Sequence, residues 1–266
     1  MTADAWQTSL RRFFEERAAA VTATPSHADL CYIAGREPRL WSEPGMYEDL
    51  IASIIRECAV GPRSKILEVG CAGGFLARGV AARVGHYVGV DLARPALRVA
   101  ARLGIPNARF RVADGARLRI AANSFDAAFC HDVFINLPAF PDGVPLIREM
   151  LRVVRPGGRV VIGSVPDAAT ATSYEAKVAD VVADLEARRG ALPQPPKLPA
   201  KGRIGRLRDR LAIRRPVAPE VVCYYFFRDD FVSLGNSLST AVEIAEVHPL
   251  NPYRGFRFDA IYTKPA

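Results

Sequence analysis

From Lys65 onward, short apolar runs alternate with stretches in which apolar residues recur at helical spacing. The runs predict strands, and the stretches between them predict helices near 74–84, 94–103 and 141–154. The predicted strands are KILEVG (65–70), HYVGVD (86–91), ARFRVAD (108–114), FDAAFCH (125–131) and GRVVIGS (158–164). This alternation indicates an α/β fold with a parallel, doubly wound sheet that helices cover on both faces.

The flanking segments add helices at both ends and an interruption of the sheet. Apolar spacing predicts helices over 3–20 and 46–58 before the first strand and over 170–189 after the fifth. The prolines in 190–219 exclude a regular strand or a long helix there. The α/β pattern then resumes with a helix near 228–238 and strands over 241–247 and 257–263.

Composition adds one basic segment to this picture. Of the 266 residues, 50% are hydrophobic and 24% are charged, which excludes a disordered chain, collagen and a coiled coil. The net charge of +8 is concentrated in residues 188–215, which hold ten Lys or Arg against one acid, Asp209. This basic arm has three interpretations: a solvated lid, a surface that recruits an anionic substrate, or a nucleic-acid contact. Nucleic acid is the least favoured, because the arm has no aromatic residue to stack on a base.

The cysteines and the apolar runs bear on the compartment. Five scattered cysteines contain no Cys-x-x-Cys pair, which argues against a disulfide framework and a zinc site. No run of about 18 apolar residues occurs, and the N-terminal segment lacks the apolar core of a signal peptide. We therefore expect a soluble protein of the cytoplasm with no bound metal and no transmembrane segment.

A glycine-rich turn follows the first predicted strand, at the edge of the sheet where open α/β sheets bind ligands. Its sequence is Glu-Val-Gly-Cys-Ala-Gly-Gly-Phe over 68–75. A dinucleotide fingerprint needs glycine at 70, 72 and 75, and only Gly70 matches, which disfavours a nicotinamide-dependent oxidoreductase. Glu68 suits a positively charged ligand better than a phosphate.

Two further acids end the next two strands. Asp91 lies about 20 residues after the turn, where a carboxylate can accept hydrogen bonds from both hydroxyls of a ribose. Asp114 ends the third strand, where it can meet an adenine amino group. Glu68, the glycine turn, Asp91 and Asp114 together indicate a nucleoside site.

With these motifs the chain resembles the class I S-adenosylmethionine-dependent methyltransferases, in particular the methyltransferase-domain-11-like branch. The matching segments are ILEVGCAGGFLA (66–77), VGVDLARPAL (88–97), RVADGARL (111–118), FDAAFCHDVFINLP (125–138) and LIREMLRVVRPGGRVVIG (146–163). The family usually has glycine where this chain has Ala72. The resemblance implies a seven-stranded, mostly parallel, Rossmann-like sheet whose last two strands form a hairpin with an antiparallel final strand.

The resemblance also implies a domain layout and a set of site residues. The layout is an N-terminal helical cap (1–60), a cofactor-binding core (61–166), an insertion or lid with the basic arm (167–222) and the end of the core sheet (223–266). S-adenosylmethionine is the implied cofactor. The implied contacts to it come from Glu68, Gly70, Cys71, Ala72, Gly73, Asp91, Leu92, Asp114, Gly115 and His131.

Catalysis and acceptor binding rest on fewer residues. Methyl transfer from a sulfonium mainly requires alignment of the reacting atoms and exclusion of water, so a general base is optional. His131, at the end of the fourth strand, is the candidate base. The candidate acceptor contacts are Tyr32, Trp41, Asp132 and Tyr174.

These features predict a methyltransferase that acts on a hydroxyl or amine of a small molecule or glycan. A methyltransferase of protein or RNA guided by the basic arm, and a non-catalytic protein that keeps the fold, stay as alternatives.

Overall fold

A computed structural model describes residues 3–21, 23–188 and 223–266. Within these residues, seven strands form a single sheet in the order β3-β2-β1-β4-β5-β7-β6. The strands are β1 (Lys65–Val69), β2 (His86–Asp91), β3 (Ala108–Val112), β4 (Phe125–His131), β5 (Val154–Pro166), β6 (Ala241–Glu246) and β7 (Arg257–Thr263). Strands β1 to β5 pair in parallel, and β7 is antiparallel to both β5 and β6.

Helices precede the sheet and connect its strands. They are α1 (Ala3–Ala19), α2 (His27–Ile33), α3 (Met46–Glu57), α4 (Ala77–Ala81), α5 (Arg94–Ala101), α6 (Phe140–Val153), α7 (Ala171–Ala187) and α8 (Arg228–Ser237). None of the helices that the structure describes is both long enough and apolar enough to span a membrane.

Two apolar cores, one on each face of the sheet, explain why the strands are almost uninterrupted apolar runs. Successive side chains of a strand point to opposite faces. Ile66 accordingly packs in one core and its neighbour Leu67 in the other, and Ala127 and Ala128 divide in the same way. The predicted doubly wound α/β fold is thus confirmed, as is the final antiparallel hairpin.

The order in which successive strands add to the sheet reverses at one place, between β1 and β4. β1 pairs with β2 on one side and with β4 on the other. The connections that leave β1 and β4 therefore diverge to opposite sides, and a crevice opens between them at the carboxyl ends of the strands. The glycine-rich turn, Asp91 and His131 all follow or end strands at this edge.

Several predicted boundaries were wrong in detail. The helix predicted over 74–84 forms only over Ala77–Ala81, because turns take up the residues on either side. β5 begins at Val154 rather than at 158 and runs to Pro166. The predicted helix after β5 exists as α7, which supports a helical insertion, whereas residues 189–222, with most of the basic arm, lie outside the described residues.

Gly158 in β5 offers a test of how tightly this sheet is packed. A methyl group there would lie 2.4 Å from the Asp126 carbonyl oxygen and 2.4 Å from Val154 Cγ1, whereas one on Gly61 would meet nothing within 4 Å. We expect Gly158→Ala to lower the free energy of unfolding by about 1–3 kcal/mol, the usual range for overpacking, in chemical denaturation. The control Gly61→Ala should change it by less than about 0.5 kcal/mol. Equal effects of the two substitutions would contradict the described packing.

Candidate functional site

Two adjoining cavities open at the carboxyl ends of the parallel strands. The first cavity is lined by the turns that follow β1 and β2, the residues after β3, and the end of β4. Of the sequence-predicted cofactor contacts, it brings together Glu68, Gly70, Cys71, Ala72, Asp91, Leu92, Asp114, Gly115 and His131. Residues 10, 11 and 14 of α1 and Arg36 also line it.

The glycine-rich turn after β1 needs residues that tolerate left-handed backbone conformations. Gly70 and Gly74 both have φ +83°, and Ala72 has φ +43°. A methyl group on Gly70 would lie 2.6 Å from Val133 Cγ2, so glycine is required there for space as well. Ala72, where the family usually has glycine, holds a conformation that costs a residue with a Cβ roughly 1–2 kcal/mol.

The Asp91 carboxylate fixes this turn. Its Oδ2 accepts a hydrogen bond from the Ala72 backbone N–H at 2.8 Å, and its Oδ1 accepts one from the Ala93 N–H at 2.8 Å. Burial raises the pKa of Asp91 against the opposing effect of these backbone donors. Each carboxylate oxygen has a second lone pair, so the carboxylate can also accept two hydrogen bonds from a diol in the first cavity.

Glu68 is the buried acid of the first cavity. Its side chain is almost fully enclosed and accepts a hydrogen bond from the Tyr87 hydroxyl. Burial raises its pKa to about 7, although the Tyr87 hydrogen bond and the charge of Arg36 oppose the rise. A cationic ligand beside Glu68 would favour the ionised carboxylate.

Asp114 and Gly115 form the far wall of the first cavity. Asp114 is exposed, and its Oδ1 accepts a hydrogen bond from the Ala116 N–H at 2.9 Å. A methyl group on Gly115 would lie 2.6 Å from Val69 Cγ1, so the chain passes closely over β1 here. Gly73 is the one predicted contact outside the lining of this cavity, because it packs against Ile33 instead.

An arginine–aspartate–arginine cluster separates the first cavity from the second. Arg36 Nη2 lies 2.7 Å from Asp132 Oδ2, and Arg257 Nη1 lies 2.9 Å from Asp132 Oδ1. Burial alone would raise the pKa of Asp132, but Arg36, then His131 and Arg257, hold it well below its usual range. Asp132 has φ +58°, an unfavourable backbone conformation that the two ion pairs help to maintain.

His131 lies against both charged partners of the same cluster. Its Nδ1 is 2.9 Å from Arg36 Nη2, which can only donate, and 3.4 Å from Asp132 Oδ2, which accepts, so the role of Nδ1 depends on the tautomer of the ring. Burial lowers the pKa of His131 more than the Asp132 carboxylate raises it. The lowered pKa favours the neutral ring, in which one nitrogen donates and the other accepts.

The second cavity adjoins the first through Phe14, Ala34, Arg36, Asp132 and Asn136, which line both. Of the predicted acceptor contacts, Trp41 and Asp132 line it, whereas Tyr32 and Tyr174 are not among its described lining residues. Tyr174 is buried behind it and accepts a hydrogen bond from Arg257 Nε at 2.8 Å. Tyr32 packs beside Arg17, whose guanidinium lies 4.3 Å from the ring centroid.

No sequence motif indicated the arginines of these cavities. Arg17, Arg36 and Arg257 come from a helix, a loop and the last strand, and no local pattern connects them. Near them, the buried His248 ring lies 5.9 Å from Trp41 between centroids, and its Nδ1 lies 3.0 Å from Asp49 Oδ2. Arg36 is the one that a local signal could have indicated, since it lies between predicted helices just before the aromatic Trp41.

Comparisons with known proteins agree with this geometry. Residues 67–162 match the family described as methyltransferase domain. The core of this chain is therefore similar to a methyltransferase domain. The ubiquinone biosynthesis O-methyltransferase of Paracidovorax citrulli is 32% identical over 106 residues, which cover 38% of this chain and 43% of that protein. Methyltransferase GfsG of Streptomyces halstedii is 31% identical over 150 residues, which cover 49% and 53%.

A solved structure extends the likeness to the whole methyltransferase fold. The magnesium protoporphyrin IX methyltransferase of Synechocystis, solved with bound S-adenosylhomocysteine, superposes with a TM-score of 0.57 at 13% identity over 97% of this chain and 99% of that one. The sequence matches, in contrast, span about half the length of the curated relatives. The sequence similarity therefore concerns the methyltransferase domain, whose matched residues 67–162 include most of the lining of the first cavity.

The pKa of Glu68 generates a test of the site. Its folded-state pKa of about 7 lies above the ordinary value of 4.5, so the folded state holds a proton that the unfolded state loses between these values. Stability from this group is therefore present below about pH 4.5 and is lost as the pH rises through 7. Glu68→Gln, which can still accept from Tyr87, should become more stable relative to wild type between pH 5 and 8, by on the order of 2 kcal/mol.

The measurement is denaturant unfolding of both proteins at each pH. Glu48→Gln, a substitution of an exposed glutamate, is the matched control and should show no such trend. A difference between Glu68→Gln and wild type that does not change with pH would contradict a raised pKa at Glu68.

Proposed function

We propose that this chain transfers a methyl group from S-adenosylmethionine to a hydroxyl or amine of a small molecule or glycan. The observation that carries the proposal is the convergence of Glu68, Asp91 and Asp114 around the glycine-rich turn in one cavity. The similarity to two methyltransferases, one an O-methyltransferase, supports it. The fold alone would not suffice, because one fold hosts many chemistries.

Each part of S-adenosylmethionine finds a chemically matching group along the first cavity. Asp91 accepts from the ribose hydroxyls, Leu92 packs against the adenine, and Asp114 and Gly115 bind the adenine edge. The methionine part lies along Gly70, Cys71 and Ala72, and Gly73 supports the turn from behind. Glu68 and Arg36 place opposite charges near this end, which suits the ammonium and carboxylate of an amino acid.

The chain's own residues align the acceptor and exclude water. S-adenosylmethionine supplies a methyl group that is already activated for displacement, so positioning is the main catalytic contribution. Asp132 is bound by two arginines, and His131 Nδ1 contacts both Arg36 and Asp132, so the two side chains are fixed in place. They form a polar wall near the methyl group, with His131 as the candidate general base.

The remaining parts of the chain have proposed roles around this core. Residues 1–60 act as the cap, 61–166 as the cofactor-binding core, 167–222 as the insertion and 223–266 as the end of the sheet. The second cavity has three arginines and only one carboxylate, Asp132, that is not paired outside its lining, which favours an anionic acceptor over a cationic one. All five cysteines are unpaired, which is consistent with the reducing cytoplasm.

The test is calorimetric titration with S-adenosylhomocysteine, with NADH titrated in parallel. We expect micromolar binding of S-adenosylhomocysteine and none of NADH. Asp91→Ala should weaken binding about 10- to 150-fold, since lost hydrogen bonds and an unpaired diol cost on the order of 1.5–3 kcal/mol.

Asp229→Ala, an exposed change on α8, is the matched control and should bind like wild type. Thermal unfolding of each variant shows whether it is folded. Binding of NADH without S-adenosylhomocysteine would overturn the proposed function.

A further inference from the structure

The second cavity is a separate space of about 480 Å³ beside the first. It shares Arg36 and Asp132 with the first cavity, so a molecule in it would touch the residues beside the methyl end of the cofactor. Its described lining is part aromatic, with Phe13, Phe14, Trp41 and Tyr253, and part polar. This position and lining suit the methyl acceptor, an assignment that rests on the proposed function.

The second cavity is lined by more cationic than anionic side chains. Its acids are Asp132 and Glu37, and its cations are Arg17, Arg36 and Arg257. Glu37 is already paired with Arg39, which lies outside the cavity lining, at 2.9 Å. Asp132 is therefore the one acid left to face three arginines.

Arg257 already uses four of its five N–H donors. Its Nε and Nη2 donate to the Tyr174 hydroxyl, and its Nη1 donates to Asp132 and to Ser164 Oγ. Tyr253 covers its guanidinium at 4.7 Å. Arg257 thus positions Asp132 and has little capacity for a further ligand.

Arg17 is the unbalanced cation. Its Nη1 donates to the Tyr32 carbonyl oxygen at 2.6 Å, and its guanidinium lies 4.3 Å from the ring centroids of Phe13 and Tyr32. Among residues 3–21, 23–188 and 223–266 it has no carboxylate within ion-pair distance. Partial burial lowers its pKa. A half-buried guanidinium fixed by rings but lacking a counter-ion is suited to receive one from a ligand.

Arg36 adds donors on the other side of the cavity. Only its Nη2 is engaged with the described residues, by Asp132 and His131. Trp41 and Phe75 hold the guanidinium in place, at 4.6 Å and 4.8 Å from their ring centroids. Its remaining N–H groups are therefore held in a fixed position where both cavities meet.

We propose that the second cavity binds the methyl acceptor through an anionic group, a carboxylate or a phosphate, that pairs with Arg17 and is oriented by Arg36. The acceptor is thus a small anion with a planar or apolar body that packs against the aromatic walls. The buried cavity, rather than the basic arm, selects for the negative charge.

Three probes that differ in charge test this proposal on the full chain saturated with S-adenosylhomocysteine. Benzoate and phenyl phosphate carry the two candidate anions on one ring, and benzamide is the uncharged counterpart of benzoate. We expect at least one anion to bind about tenfold or more tightly than benzamide in calorimetry at low salt. Whether benzoate or phenyl phosphate binds better distinguishes a carboxylate site from a phosphate site.

Arg17→Gln should abolish the preference for the anion and leave the affinity for S-adenosylhomocysteine within about twofold. Arg12→Gln is the matched control, because Arg12 is an exposed arginine on the same helix that pairs with Glu16. Arg12→Gln should keep the preference for the anion over benzamide. Thermal unfolding verifies that both variants are folded.

The experiment distinguishes failure of the proposed function from failure of the proposed anion site. Absence of S-adenosylhomocysteine binding would count against the proposed function. Normal S-adenosylhomocysteine binding with equal affinity for benzoate and benzamide, with no binding of any probe, or with an anion preference that survives Arg17→Gln, would overturn the anion site alone.

Discussion

The Asp91 carboxylate is the interaction on which the site depends. It ends β2 and bonds two backbone N–H groups, one in the turn after β1 and one at the start of α5. Because the same side chain then has one lone pair left on each oxygen, it both shapes the turn and faces the cavity that the turn encloses. The left-handed conformation of Ala72 is maintained by this bond, although alanine disfavours it.

A second constraint acts on the acceptor side, where a charged cluster surrounds His131, the predicted general base. Asp132 lies between two arginines, and Arg36 also bonds the imidazole of His131. These groups hold one another in place, so they form a rigid polar partition between the two cavities. Such a partition suits a reaction in which orientation contributes more than proton transfer.

The sequence could predict the half of the site that lies in contiguous motifs. The glycine turn, Asp91 and Asp114 follow successive strands, so the strand pattern alone brings them to one edge of the sheet. Arg17, Arg36 and Arg257 come from distant segments, and only the packing of the N-terminal helices onto the sheet brings them together. Tyr174 was predicted as an acceptor contact from its position in the chain, but its hydroxyl is used by Arg257.

The same distinction between local sequence patterns and long-range packing explains which parts of the fold could be predicted. Long, strongly patterned strands such as β2, β4 and β7 were predicted residue for residue, since burial on both faces leaves a clear apolar run. The helix after the glycine turn is shorter than predicted, because the turn geometry overrides the helical spacing of the apolar residues there.

The most direct test of the account is a crystal structure of the chain bound to S-adenosylhomocysteine. The account predicts the ribose hydroxyls on Asp91, the adenine beside Asp114, and the sulfur facing the partition formed by His131 and Asp132. S-adenosylhomocysteine located in the second cavity, or a nucleoside that does not touch Asp91, would contradict it.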